Sequence, residues 1–300
     1  RRWPAPTWQQ PDADAPDPIG AAAQAAPVGA TDAAGAGGSA GRGGVPGLPV
    51  PAGWFLAAGA AAPPRPDSMV FAVAPDQDHP RLLIDAGVPA PLVAAALAAL
   101  PSPVAGAVQL VPLGSPAEGL ATAQAVARSL GRQVLLVNGV PLITPDRNCR
   151  VFVLDELRLP VWEQPAQVLA VAPTAGGGVR EQVLRSVPPR PGLTLLDATA
   201  DPWYDLGSGW MVRVTATGVD VRPTRPTSPA PTPTPVVPPT AGPDGYQVTF
   251  GAPGGVIEDA AWPILSALLT ILLAGLPFPL RIVVLADLSP WGVSAARELA

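Results

Sequence analysis

Lysine is absent from this 300-residue chain, and cysteine and histidine occur once each, as Cys149 and His79. All eighteen basic side chains are arginine, so neither a Schiff-base lysine nor a lysine-dependent phosphate loop is available. One cysteine excludes a disulfide within the chain and a cysteine-rich zinc site, and one histidine excludes a histidine cluster on a metal. Charge of either sign is scarce, at 14% of residues against about 25% in an ordinary soluble domain. The formal net charge of −5 leaves no broadly basic face for nucleic acid.

Proline and glycine are plentiful, with 43 and 31 residues, a share at which low-complexity sequence begins. Yet 48% of residues are hydrophobic and the mean hydropathy is +0.30, enough apolar material for a core. Both facts hold together if proline and glycine are concentrated in segments. Residues 12–51 are nearly all Ala, Gly, Pro and Asp and cannot bury enough surface to offset chain entropy of about 1–2 kcal/mol per residue. Residues 222–243 are Pro/Thr-rich and read as an extended, semi-rigid linker, because proline locks φ and removes amide donors.

Between these stretches the pattern alternates strand and helix. Residues 69–74 are an apolar run that suits a buried strand, and 81–85 a short second one. Residues 91–100, with Pro91 at the start and Pro101 beyond, read as a helix. A strand over 107–113 follows. Ser115 then caps a helix over 117–130 that Gly131 ends. Strands over 133–137 and 150–154 complete the pattern of a mostly parallel sheet with crossover helices. After Pro160, short strands over 167–171, 203–206, 210–215 and 219–221 read as a small antiparallel appendage.

The chain also repeats itself. Pro6-Thr7-Trp8-Gln9-Gln10-Pro11 matches Pro160-Val161-Trp162-Glu163-Gln164-Pro165, and Gly53-Trp54 matches Gly209-Trp210. The helix at 91–100 matches the run from Pro263, and the strand segment 108–116 matches 282–290. The division that follows is 1–62 as the tail of a preceding module, 63–221 as a complete module, 222–243 as a linker and 244–300 as the truncated head of the next module. The start at Arg1-Arg2-Trp3 and the end at Ala300 within a helical pattern read as those of a fragment. Abundant Ala, Pro, Gly and Arg without Lys points to high-GC coding, as in an actinobacterium.

The repeated head, with Leu130-Gly131-Arg132-Gln133-Val134 leading from helix to strand, resembles the caspase-like cysteine peptidase core of bacterial toxins and very large actinobacterial proteins. The setting also resembles the lonely Cys domain of such proteins. The resemblance covers residues 69–145 and 246–300 and implies a His-Gly step after the first strand and a nucleophilic Cys after a later one. Those positions fall on Ala74-Pro75 and Phe250-Gly251 for the histidine, and near Leu113 and Asp287-Leu288 for the nucleophile. Ala, Leu and Phe can serve neither as thiolate nor as base, so the resemblance implies a scaffold that has lost its dyad.

Other candidates each have a bland reading. Cys149 lies between Asn148 and Arg150, where positive charge favours thiolate, but it also reads as an incidental thiol at a strand edge. His79, in Asp76-Gln77-Asp78-His79-Pro80, reads as a solvated loop imidazole. Asp155-Glu156 follow a strand at its carboxyl end and read as a solvated terminus. Gly176-Gly177-Gly178 lack the residues of a phosphate loop and read as a hairpin turn. Glu258-Asp259 suit a helix N-terminus. The apolar stretch 260–276 is too short to span a bilayer and reads as a buried crossover helix.

The sequence therefore points to a non-catalytic repeat, scaffold or interaction module of a large bacterial multidomain protein. No catalytic, cofactor-binding or metal-ligating set is assigned, and no cofactor. Two alternatives remain: a cysteine peptidase or toxin-processing domain with its nucleophile at Cys149 or outside the fragment, and a membrane-associated segment at 260–280. Protein partners fit this reading, nucleic acid does not, and the location is cytoplasmic or exported within a larger protein.

Overall fold

The computed structural model describes residues 47–58, 64–65, 68–100, 102–197, 202–224, 246–252, 255–272, 276 and 279–299. The motif at 6–11 and most of the stretches at 12–51 and 222–243 lie outside them.

A hairpin of β1 (Leu48–Val50) and β2 (Gly53–Leu56) opens the first sheet. Residues 69–74 do not form the expected strand. Met69–Phe71 is a 3-10 turn, and Val73 makes only an isolated bridge to Leu142. Here Val70, Val73 and Ala74 are buried while Phe71 and Ala72 are exposed, a helical spacing rather than the alternation of a strand. The strand that pairs in parallel with β2 is β3 (Arg81–Ile84), buried along its whole length.

Then α1 (Ala90–Ala98), a short α2 (Ser102–Ala107) that the sequence reading did not foresee, and β4 (Gln109–Pro112) follow, with β4 parallel to β3. Next, α3 (Pro116–Leu130) starts in a capping box. Ser115 Oγ accepts the Glu118 N–H, and the Glu118 side chain accepts the Ser115 N–H, which satisfies two otherwise orphaned donors. Gly131, at φ 61°, ends this helix in the left-handed conformation, and β5 (Val134–Val137) runs parallel to β4.

From here the parallel pattern stops. The strands β6 (Val140–Ile143), β7 (Cys149–Leu154) and β8 (Pro160–Glu163) form a separate antiparallel sheet. Residues 150–154 thus do not extend the parallel sheet. No helix carries the chain back after β5, so it returns by hairpins, and hairpins join antiparallel strands. The next strands, β9 (Ala166–Pro173) and β10 (Val179–Ser186), are antiparallel and rejoin the first sheet beside β5. Residues 167–171 therefore belong to the main sheet and not to an appendage. The sheet order is β1-β2-β3-β4-β5-β9-β10, with parallel strands in the middle and antiparallel ones at both ends. The fold is mixed α/β.

Side-chain alternation divides this sheet between two cores. Leu82, Ile84, Leu110 and Leu136 face the helices and pack with Val93, Leu97, Ala123 and Val126. Phe55, Leu83, Val111 and Val137 face the small sheet and pack with Val140 and Val151.

A second sheet contains β11 (Thr194–Asp197), β12 (Trp203–Gly207), β13 (Trp210–Thr215), β14 (Gly218–Pro223), β15 (Tyr246–Phe250) and, beyond the two-residue β16 (Val256–Ile257) and α4 (Trp262–Leu272), β17 (Leu280–Val284). Its first four strands are antiparallel, and β14, β15 and β17 are parallel. The strands on either side of 222–243 are thus hydrogen-bonded to each other. A two-residue strand, β18 (Asp287–Leu288), pairs with β16, and α5 (Pro290–Leu299) follows.

Within α4, Trp262, Leu265 and Leu269 are buried in the core with Val248 and Phe250. Among the described residues no helix is long and apolar enough to cross a membrane.

Candidate functional site

The single cysteine and single histidine come to opposite sides of one ion pair. Arg81 begins β3 with its side chain on the small-sheet side, and is 1% exposed. Its Nε donates to Gln109 Oε1 at 3.4 Å, and its Nη2 lies 3.7 Å from Asp76 Oδ2. Nη1 has no hydrogen-bond partner. The Cys149 thiol lies against the same guanidinium. Burial pulls Arg81 below its ordinary pKa, while Cys149 and Asp76 act in the opposite direction.

Asp76 is fixed by its own loop. The N–H groups of Asp78 and His79 both donate to Oδ1 at 3.1 Å, and His79 Nδ1 lies 3.6 Å from that oxygen. Burial alone would raise the Asp76 carboxyl, but these amides, with Arg81 and His79, outweigh it and hold the carboxyl below its usual range. The contacts from thiol to imidazole therefore pass through Arg81 and Asp76. A guanidinium stays protonated and cannot serve as a general base toward Cys149.

The charge beside Cys149 does not come from the arginines next to it in sequence. Arg150 donates to Asp146 at 2.7 Å and to Glu163 at 3.2 Å. Asp146 also accepts from Thr144 and Asn148, and these bonds with Arg150 push its carboxyl far down. Arg147 sits in the turn with φ 63°. Cys149 itself is half-buried as the first residue of β7, opposite Ile143 of β6 and short of the residues that pair with β8. The sequence marks Arg81 only as part of a strand. Its contact with the thiol is non-local, and no pattern near residue 149 announces it.

The remaining nominated positions are dispersed. Leu113 is buried just beyond β4 and donates its N–H to Ile84, while Asp287-Leu288 form β18. Ala74 donates to Pro141 in the small sheet. Phe250-Gly251 end β15 where Ile84-Asp85 end β3: the Asp85 N–H donates to Leu56 and the Gly251 N–H to Val221. Phe250-Gly251 thus hold the register position in the second sheet that Ile84-Asp85 hold in the first. Asp155 and Glu156 are exposed in the β7–β8 hairpin, where Asp155 Oδ1 accepts the Leu159 N–H at 2.8 Å. Gly176–Gly178 lie in the β9–β10 hairpin turn, closed between Thr174 and Gly178. Glu258 and Asp259 open the 3-10 turn before α4, and Asp259 accepts the Ser289 hydroxyl. No group of three or more His, Cys, Asp or Glu side chains able to hold a metal occurs among the described residues.

A second polar site was not foreseen. Asp220, 4% exposed in the middle of β14, receives Arg213 Nη2 at 3.1 Å and Arg222 through Nε at 3.2 Å and Nη2 at 2.8 Å. Both guanidiniums lie over the Trp203 ring, 5.0 and 5.5 Å from its centre. These side chains share one sheet face with Gln247 and Thr249 of β15. With Arg180 and Glu181 of β10 they line a pocket of about 370 Å³. The alternation in Val212-Arg213-Val214 and Val219-Asp220-Val221-Arg222 is the local signal that places three charges on one face. No family model, no curated protein and no solved structure matches the chain.

Proposed function

We propose that the chain is a non-catalytic repeat module, acting as scaffold or interaction unit in a large bacterial multidomain protein, with a degenerate caspase-like head. One observation carries the repeat part of this reading: the hydrogen-bond register from hairpin to parallel strands recurs. Gly53 pairs with Arg81 and Arg81 with Gln109, while Gly218 pairs with Gln247 and Gln247 with Arg281. In the first sheet α1 and α2 lie between the parallel strands β3 and β4, and in the second α4 lies between β15 and β17. The helix after the second strand begins with Pro behind a capping serine, Ser115 or Ser289. The Gly-Trp pairs that match in sequence hold different ranks in this register, since Gly53 is on the second hairpin strand and Trp210 on the first. Gly218, not Gly209, stands where Gly53 does.

The absence of catalysis rests on the contacts of Cys149 and His79. With Arg81 and Asp76 between the thiol and the imidazole, Cys149 lacks the adjacent base that a cysteine peptidase requires. The test is treatment of the chain with an electrophilic cysteine-peptidase probe beside iodoacetamide. Iodoacetamide should alkylate Cys149 and the peptidase probe should leave it unmodified. Stoichiometric modification by the peptidase probe, lost in His79→Ala, would establish the peptidase alternative instead.

A further inference from the structure

We infer that the pocket between β10 and the polar face of the second sheet binds a small monocarboxylate that carries hydroxyl groups, the chemistry of a sugar acid. This goes beyond the scaffold reading and does not depend on it. The first argument is charge. Arg180, Arg213 and Arg222 outnumber Asp220 and Glu181 in the lining, and this excess of guanidinium groups complements a carboxylate. Asp220 holds Arg222 through two bonds, and the Trp203 ring lies under Arg213 and Arg222. The cationic wall is thus built before any ligand arrives, and a guanidinium matches a carboxylate in plane and spacing. Glu181 is turned aside by a 2.6 Å bond from Gln124, while Arg180 has no carboxylate partner among the described residues.

The second argument is an orphaned polar atom. Gln247 is 6% exposed and lines the pocket; its Nε2 donates to Thr249 Oγ1 at 3.1 Å, but its Oε1 has no partner. A buried acceptor left unsatisfied costs about 1–3 kcal/mol, and a ligand hydroxyl donating into the pocket would satisfy it. Thr215, Thr217 and Gln182 add further hydroxyl and amide groups to the lining, which suits a ligand with several hydroxyls rather than an alkyl acid. The volume, about 370 Å³, is in the range of small-molecule sites.

The experiment is calorimetric titration of the full chain with gluconate, with glucose, hexanoate and inorganic phosphate as comparison probes. Gluconate should bind at least tenfold more tightly than any of the three. Arg180→Ala, at an exposed position whose loss leaves the core intact, should weaken gluconate about tenfold. Gln247→Leu, checked for folding by circular dichroism, should bring gluconate and hexanoate closer together. Equal binding of gluconate and glucose, phosphate as tight as gluconate, or gluconate binding unchanged in Arg180→Ala would each overturn the assignment.

Discussion

Gly53 and Gly218 occupy the same place in two different sheets. A Cβ on Gly53 would lie 2.1 Å from the Arg81 carbonyl oxygen, and one on Gly218 would lie 1.9 Å from that of Gln247. Each glycine is where a hairpin strand meets its parallel neighbour, and each lets two backbones approach more closely than any side chain permits. The partner of each glycine donates to the residue before that glycine: the Arg81 N–H to Ala52 at 3.0 Å and the Gln247 N–H to Thr217 at 2.9 Å.

Gly218→Ala and Gly53→Ala should therefore each destabilise the chain by about 2–4 kcal/mol, because backbone rather than a flexible side chain must yield. Gly53 adds strain from its φ of 141°. Gly106→Ala, where a Cβ meets nothing within 4 Å, should be neutral or slightly stabilising through its helix propensity. Urea denaturation of the three variants checks the contrast.

The two serine caps give a second pair. Ser115→Ala should cost about 1 kcal/mol. Ser289→Ala should cost at least as much, since Ser289 Oγ both accepts the Gly292 N–H at 2.9 Å and donates to Asp259. Thermal melts of the single variants, with Asp259→Asn as a partner to Ser289→Ala, measure both terms.

Acid should expose the Asp76 loop. The Asp76 carboxyl is held below the ordinary aspartate pKa, so its contribution is fully present above the unfolded pKa and is lost as pH falls through the lower folded value. Stability of the wild type should fall with acid across that window, and Asp76→Asn should show a shallower fall with little change in slope at pH 7. An unchanged acid slope in Asp76→Asn would contradict the assigned contacts.

The buried stripe of α4 predicts a core helix. Leu265→Ala, at a fully buried position, should cost about 2–5 kcal/mol. Thr270→Ala, at an exposed position where Oγ1 only bonds back to the Ser266 carbonyl at 3.0 Å, should stay within about 0.5 kcal/mol. Equal, small effects at both positions would mean that the helix does not pack as described.

Local chemistry alone was enough for much of this protein. Ser115 with Glu118 and Pro116 marks a helix start, Gly131 its end, and Gly176–Gly178 a hairpin, because capping and turn geometry act over three or four residues. The apolar runs at 81–85 and 133–137 were legible as strands for the same reason. The membership of those strands was decided only in three dimensions. An apolar run carries no record of its neighbour or direction, so Cys149–Leu154 joined a separate antiparallel sheet and Ala166–Pro173 entered the main one. The contact of Cys149 with Arg81 and the enclosure of Asp220 by Arg213 and Arg222 follow from those pairings. Pairing is a property of surfaces that meet across the fold, and it is settled by which faces can be buried together.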